Sequence, residues 1–121
     1  MQIGIVVYED NSNLRESLCN FITFSKELIL LGNFARVDEV VTQVAQLQPD
    51  VILMDNWIPD VGGITATKTL KSSVELKHIP VIYFSANNDI QILASHAGAD
   101  SFLAKPFDID ELEKVINAVL S

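Results

Sequence analysis

Val51-Ile52-Leu53-Met54-Asp55, residues 51–55, is a short apolar run that stops on a carboxylate. A run of this length, bounded by turn formers, suits a strand buried on both faces. The pattern recurs along the chain. Ile3–Tyr8 runs into Glu9 and Asp10, Val81–Phe84 stops at Ser85, and Ser101–Ala104 delivers Lys105-Pro106. A further run, Leu28–Leu31, extends toward Phe34. Open α/β sheets bind ligands just outside the carboxyl ends of their strands. If these runs are parallel strands of one sheet, three carboxylates, a hydroxyl and an ammonium meet along a single edge.

Between the runs lie segments with helical periodicity. Residues 12–24 carry the stripe Leu14, Leu18, Phe21 and Ile22, and residues 38–48 carry Val40, Val41, Val44 and Leu47 before Pro49 stops them. Pro59-Asp60-Val61-Gly62-Gly63 opens a weaker helix with Ile64, Thr67 and Leu70. Ile90, Leu93, Ala94 and Ala97 precede Gly98, a glycine placed to end a helix. Asp108 and Glu111 form a capping-box pattern ahead of Leu112, Val115, Ile116 and Val119. Five strands alternating with five helices is the signature of βαβ units around a parallel sheet, and right-handed crossovers place helices on both faces.

Size and charge narrow the function classes. A chain of 121 residues is expected to form one domain with its own core. No apolar stretch nears the roughly 20 residues that cross a bilayer, and MQIGIVVYED lacks the basic start of a signal peptide, so a cytoplasmic protein is expected. Net charge is −8, from 16 acidic and 8 basic residues, with no basic stripe. Direct nucleic-acid binding and docking on anionic membranes are disfavoured on that ground. Cys19 is the only cysteine, beside a helical core stripe, and reads as a buried, inert thiol.

Asp55 is placed to emerge at the sheet edge, where a carboxylate could attack phosphorus and become an aspartyl phosphate. Phosphoryl transfer asks a protein mainly for positioning and charge neutralisation. Glu9, Asp10 and Asp55 set three carboxylates against the ammonium of Lys105, a repulsive group unless a cation joins it. Few, hard oxygen ligands suit Mg²⁺. Lys105 could pair with one phosphoryl oxygen and Ser85 could hydrogen-bond another. Taken singly, an acidic residue at a strand end is usually a turn former and a serine usually a cap; their joint occurrence carries the reading.

Taken together, these motifs resemble the receiver domain of two-component response regulators, the chemotaxis-regulator-like fold, over the whole chain. Glu9-Asp10 matches the acidic pair and Asp55 the phosphoacceptor. Asp55-Asn56-Trp57-Ile58-Pro59 with Gly62-Gly63 follows the D-x-x-hydrophobic-P…G stretch, Ser85-Ala86 the Thr/Ser-Ala position, and Lys105-Pro106-Phe107 the Lys-Pro-Phe signature. The resemblance implies a flavodoxin-like, doubly wound parallel sheet of order 2-1-3-4-5. It implies Mg²⁺ held by Asp10, Asp55 and the backbone carbonyl of Trp57, with Glu9 helping through water. It implies a switch in which Ser85 moves toward the phosphoryl group and Phe102 turns inward, altering the surface around helix 4, strand 5 and helix 5. As a bare residue of strand five, Phe102 would equally be core. The Lys105-Pro106 bond is cis in the family, and Trp57 is bulky enough to shield the phosphoryl group from water.

The implied role is that of a phosphoacceptor signalling domain, charged by a sensor histidine kinase or a phosphotransfer protein and passing its state to a downstream effector. It would be no enzyme beyond catalysing its own phosphorylation and dephosphorylation. With Lys114 the only basic residue of the last helix, at most a weak homodimer is expected. The alternative is a degenerate receiver that binds partners without phosphorylation, though such chains usually lack one of the residues present here. An Asp-nucleophile phosphatase would want Asp-x-Asp, and Asp55-Asn56-Trp57 lacks the second acid. A nucleotide-binding fold would want a Gly-rich first turn, and Tyr8-Glu9-Asp10-Asn11 has none.

Overall fold

The computed structural model describes residues 2–55, 62–85, 90–105 and 107–121. In chain order the elements are β1 (Ile3–Tyr8), α1 (Ser12–Phe24), β2 (Leu28–Phe34), α2 (Val40–Leu47), β3 (Val51–Asp55), α3 (Gly63–Ser72), β4 (Val81–Ser85), α4 (Ile90–Ala97), β5 (Ser101–Ala104) and α5 (Ile109–Leu120). The strands form one sheet of order β2-β1-β3-β4-β5, and every neighbouring pair is parallel. This is the flavodoxin-like arrangement expected from the sequence.

Strand alternation divides the core in two. Ile5, Val7, Val51, Leu53, Ile82, Phe84 and Leu103 face one side, where Leu18 and Ile22 of α1 and Leu112 and Ile116 of α5 cover them. Val6, Tyr8, Ile52, Met54, Val81 and Tyr83 face the other, under α2, α3 and α4. β1, β3 and β4 are thus sealed on both faces, which is why their sequences are almost wholly apolar. Among the described residues, some members of the expected helical stripes fall outside the core. Phe21 is 44% exposed and Val41 39% exposed, because each sits at the margin of a stripe whose centre is held by Leu18 and Ile22, or by Val40 and Val44. Cys19 is half-buried rather than buried as expected, because it lies beside Leu18 at the flank of the stripe; the burial it has pushes its thiol pKa up.

Local signals set the helix ends. Asn11 Oδ1 accepts from the Leu14 backbone N–H at 3.0 Å, capping α1. Asp108 and Glu111 form the reciprocal capping box on α5. Gly98 follows α4 with φ of 81°, a left-handed conformation that side chains resist. No described helix is long and apolar enough to cross a membrane.

The end of the sheet away from the strand tips is tied by Lys71. Its Nζ donates to the carbonyls of Lys77 (3.1 Å) and Ile79 (2.9 Å) and pairs with Asp100, whose Oδ2 also accepts from the Val81 N–H at 2.8 Å. Lys71→Met removes the common partner of three acceptors. A loss of about 1–3 kcal/mol is expected from urea unfolding; an unchanged midpoint would show the network to be idle.

Candidate functional site

The side chains that meet at the strand tips all continue the same series. Glu9 follows Ile5 and Val7, Asp55 follows Val51 and Leu53, and Lys105 follows Leu103, so alternation carries all three to the face covered by α1 and α5. There Lys105 Nζ lies 2.9 Å from Glu9 Oε1 and 3.0 Å from Asp55 Oδ1. Glu9 is 1% exposed and Asp55 3% exposed. Two almost fully buried carboxylates therefore share one ammonium, and the site is short of positive charge.

Its electrostatics follow from that shortage. Burial pushes the Asp55 carboxyl up to about 7, the hydrogen bond with Glu9 and its negative charge add to the rise, and Lys105 opposes it. The Tyr83 hydroxyl is likewise raised, by burial and by the charge on Asp55. Bringing in a cation would favour the ionised form of Asp55. Their oxygens are hard donors with the charge that Mg²⁺ seeks, so Glu9 and Asp55 fit such an ion.

The β1–α1 junction is braced by residues that the sequence did not single out. The Asn11 backbone N–H donates to Glu9 Oε2 at 3.1 Å, so Glu9 is held at one oxygen by the loop and at the other by Lys105. Arg15 Nη1 donates to the Glu9 carbonyl at 2.8 Å and to the Asp10 carbonyl at 3.5 Å. Asn11 was legible as a cap before an apolar stripe; nothing in a lone arginine on the first turn signalled its role.

The expected site residues do not all converge. Ser85 closes β4, is 6% exposed, and accepts at its carbonyl from the Lys105 N–H at 2.9 Å, which ties the tips of β4 and β5 together. Asp10 is exposed, one residue past the series that buries Glu9, and among the described residues no group of three or more His, Cys, Asp or Glu is assembled for a metal. The resemblance makes Asp10 a direct Mg²⁺ ligand with Glu9 helping through water, whereas in this structure Glu9 is the member of the pair that contacts Lys105. Phe102 is not core: it is 38% exposed on the edge strand β5, where Leu103 takes the inward place. Trp57 and its carbonyl, Asn56, Ile58, Pro59, Ala86 and the Lys105-Pro106 bond lie outside the described residues.

Comparison with known proteins agrees with this fold. A family profile described as the response regulator receiver domain matches residues 5–117. The chain is 35% identical over 124 residues to the DNA-binding transcriptional regulator NtrC of Proteus hauseri, covering all of this chain and 25% of that protein. The response regulator domain of Thermotoga maritima CheB superposes with a TM-score of 0.85 at 26% identity, over 99% of this chain and 97% of that one. The receiver domain of a sensor histidine kinase from Pseudomonas aeruginosa PAO1, with a magnesium ion coordinated in its active-site cleft, has a TM-score of 0.84 at 24% identity, over 99% and 98% of the two chains. This chain spans about half or less of the curated relatives it matches, from 25% to 54% of their length.

Proposed function

The chain belongs to the response regulator receiver domain family, and from that membership we propose that Asp55 accepts a phosphoryl group from the phosphohistidine of a sensor kinase or phosphotransfer protein. The observation that carries the reading is the buried triad in which Lys105 stands 3.0 Å from Asp55 and 2.9 Å from Glu9. An Asp55 carboxylate oxygen forms a bond to phosphorus as the P–N bond of phosphohistidine breaks. The electron pair of that bond returns to the imidazole nitrogen, which takes a proton from water. Lys105 neutralises charge on the transferring group, and Ser85 at the tip of β4 is placed to donate to one of its oxygens.

Mg²⁺ is the fitting cofactor. Glu9 and Asp55 would hold it, with Asp10 at the rim and the Trp57 carbonyl as the resemblance implies. It would supply positive charge that a single ammonium does not. A same-fold neighbour carries a magnesium ion in its own cleft. With Asp55 pushed up to about 7, a bound cation also keeps the nucleophile ionised at neutral pH.

The proposed chemistry extends no further than uptake and loss of the phosphoryl group on this domain. Ser85 and Phe102, which is 38% exposed on β5, are the proposed movers of the switch, as the resemblance implies. The cytoplasm is the proposed compartment, as the donors are intracellular kinases. The downstream partner is a protein surface reading α4, β5 and α5. Among the curated relatives, NtrC is a DNA-binding transcriptional regulator and one from Geobacter metallireducens is a protein-glutamate methylesterase. The acidic charge of this chain supports protein contact rather than contact with nucleic acid.

The test is incubation with acetyl phosphate and Mg²⁺ followed by intact mass, comparing wild type with Asp55→Asn. A gain of one phosphoryl unit in the wild type alone is expected; equal masses would favour a partner-binding domain that works without phosphorylation. Trp57 is the single tryptophan and directly follows the site in sequence. Its emission is expected to change with Mg²⁺ and again with acetyl phosphate, and a flat titration would argue against metal at this position.

A further inference from the structure

Phe84 ends the inward series of β4 on the face that Asp55 and Lys105 share. Its register partners are Asp55 on β3 and Leu103 on β5, and its side chain is 1% exposed. The Lys105 ammonium stands 4.9 Å from the centroid of the Phe84 ring. Phe107 packs against that ring at 6.0 Å with an interplanar angle of 87°, and this edge contact holds the ring in orientation. One aromatic face is thus the floor on which the site's ammonium rests.

The chemistry of that floor matters. An aromatic face attracts a cation through its quadrupole, and more strongly where water is excluded. It competes for an N–H only weakly compared with an oxygen acceptor. A lysine ammonium has three donors, and among the described residues two are directed at Glu9 and Asp55. A carbonyl or carboxylate in place of the ring would capture the third. A leucine there would bury as much surface yet exert no pull on the charge, leaving a flexible four-carbon stem to wander.

We propose that Phe84 is a positioning residue for phosphoryl uptake: its ring face fixes the Lys105 ammonium beside Asp55 and keeps the third N–H for an oxygen of the incoming phosphoryl group. This inference rests on the reading of Asp55 as the phosphoacceptor. It assigns a role to a residue whose type, in a strand, signals only core packing.

The experiment replaces Phe84 with mono-, di- and trifluorinated phenylalanines by nonsense suppression. It measures the rate of phosphoryl uptake from acetyl phosphate at saturating Mg²⁺. Fluorination drains the ring face of negative charge while nearly preserving its size. The rate is expected to fall step by step, by about threefold to tenfold across the series, with the thermal midpoint nearly constant. Phe84→Leu should lose a comparable factor, and the fluorinated series decides the matter if that variant fails to fold. Equal rates across the series, in a chain that does take up phosphoryl, would overturn the role of Phe84 and leave Asp55 as acceptor. No uptake by the wild type would overturn both.

Discussion

Lys105→Met is expected to lose phosphoryl uptake by about a hundredfold and, without Mg²⁺, to unfold about 2–4 kcal/mol more easily at pH 8. Both effects have one origin. Among the described residues the Lys105 ammonium is the cation shown paired with the side-chain carboxylates of Glu9 and Asp55, and both carboxylates are almost fully buried. Removing it leaves two desolvated charges facing each other. Methionine keeps the length and the apolar stem, so the change isolates the charge. The stability loss should shrink as the pH falls toward about 4, because the folded state of the variant then takes up the protons that the ammonium had replaced. Denaturant unfolding at several pH values checks the first effect and intact-mass kinetics the second. A variant as stable as wild type at pH 8 would mean that water, rather than Lys105, screens the pair.

The second large effect has the opposite sign. Asp55→Asn is expected to stabilise the Mg²⁺-free chain. The folded carboxyl is pushed up to about 7, above the ordinary value near 3.9 for an unfolded aspartate. The folded state therefore binds more protons than the unfolded state between those values. The favourable contribution is complete below about pH 4 and is lost as pH rises through about 7. Asparagine lacks that dependence, so its advantage should be small at pH 4 and grow to about 1–3 kcal/mol above pH 7. Mg²⁺ should reverse the ranking, since an ion that binds only the folded wild type stabilises it by mass action. Thermal or urea unfolding of both chains, at pH 4.5 and 8 and with and without Mg²⁺, gives the full comparison. A wild type that is the more stable at pH 8 without Mg²⁺ would show that Lys105 already satisfies Asp55.

Much of this was legible in the sequence because burial on two faces forces apolar runs and because caps are chemically explicit. The runs ending at Tyr8, Met54, Phe84 and Ala104 are strands at those positions, with β3 and β4 each reaching one residue further, to Asp55 and Ser85. Asp108 and Glu111 close their capping box. Edges were harder. β2 continues to Phe34 with a register shift opposite Ile5 and Val6, and an edge strand of mixed exposure leaves a weak pattern. Phe21 and Val41 were placed inside because hydrophobicity marks a stripe more broadly than burial does.

Within the site, chemistry was readable and direction was only partly so. Asp55 and Lys105 meet as their strand ends imply. The unequal fates of Glu9 and Asp10 follow from counting in twos along β1, a parity that the sequence does contain. The contacts of Arg15 and the ring beneath Lys105 are different in kind. They join residues remote in sequence or set by loop geometry, and no local pattern encodes them.

The most direct measurement fixes the modified atom itself. After incubation with acetyl phosphate and Mg²⁺, borohydride delivers one hydride to the acyl phosphate carbon as phosphate leaves, then a second to the resulting aldehyde, which on protonation becomes homoserine. Peptide mapping then reads the position. Homoserine at residue 55, absent when Lys105→Met is treated for the same brief interval, is the expected result. Homoserine at Asp10 or Glu9's reduced counterpart, or no reduced residue in a chain that has gained phosphoryl mass, would contradict Asp55 as the acceptor.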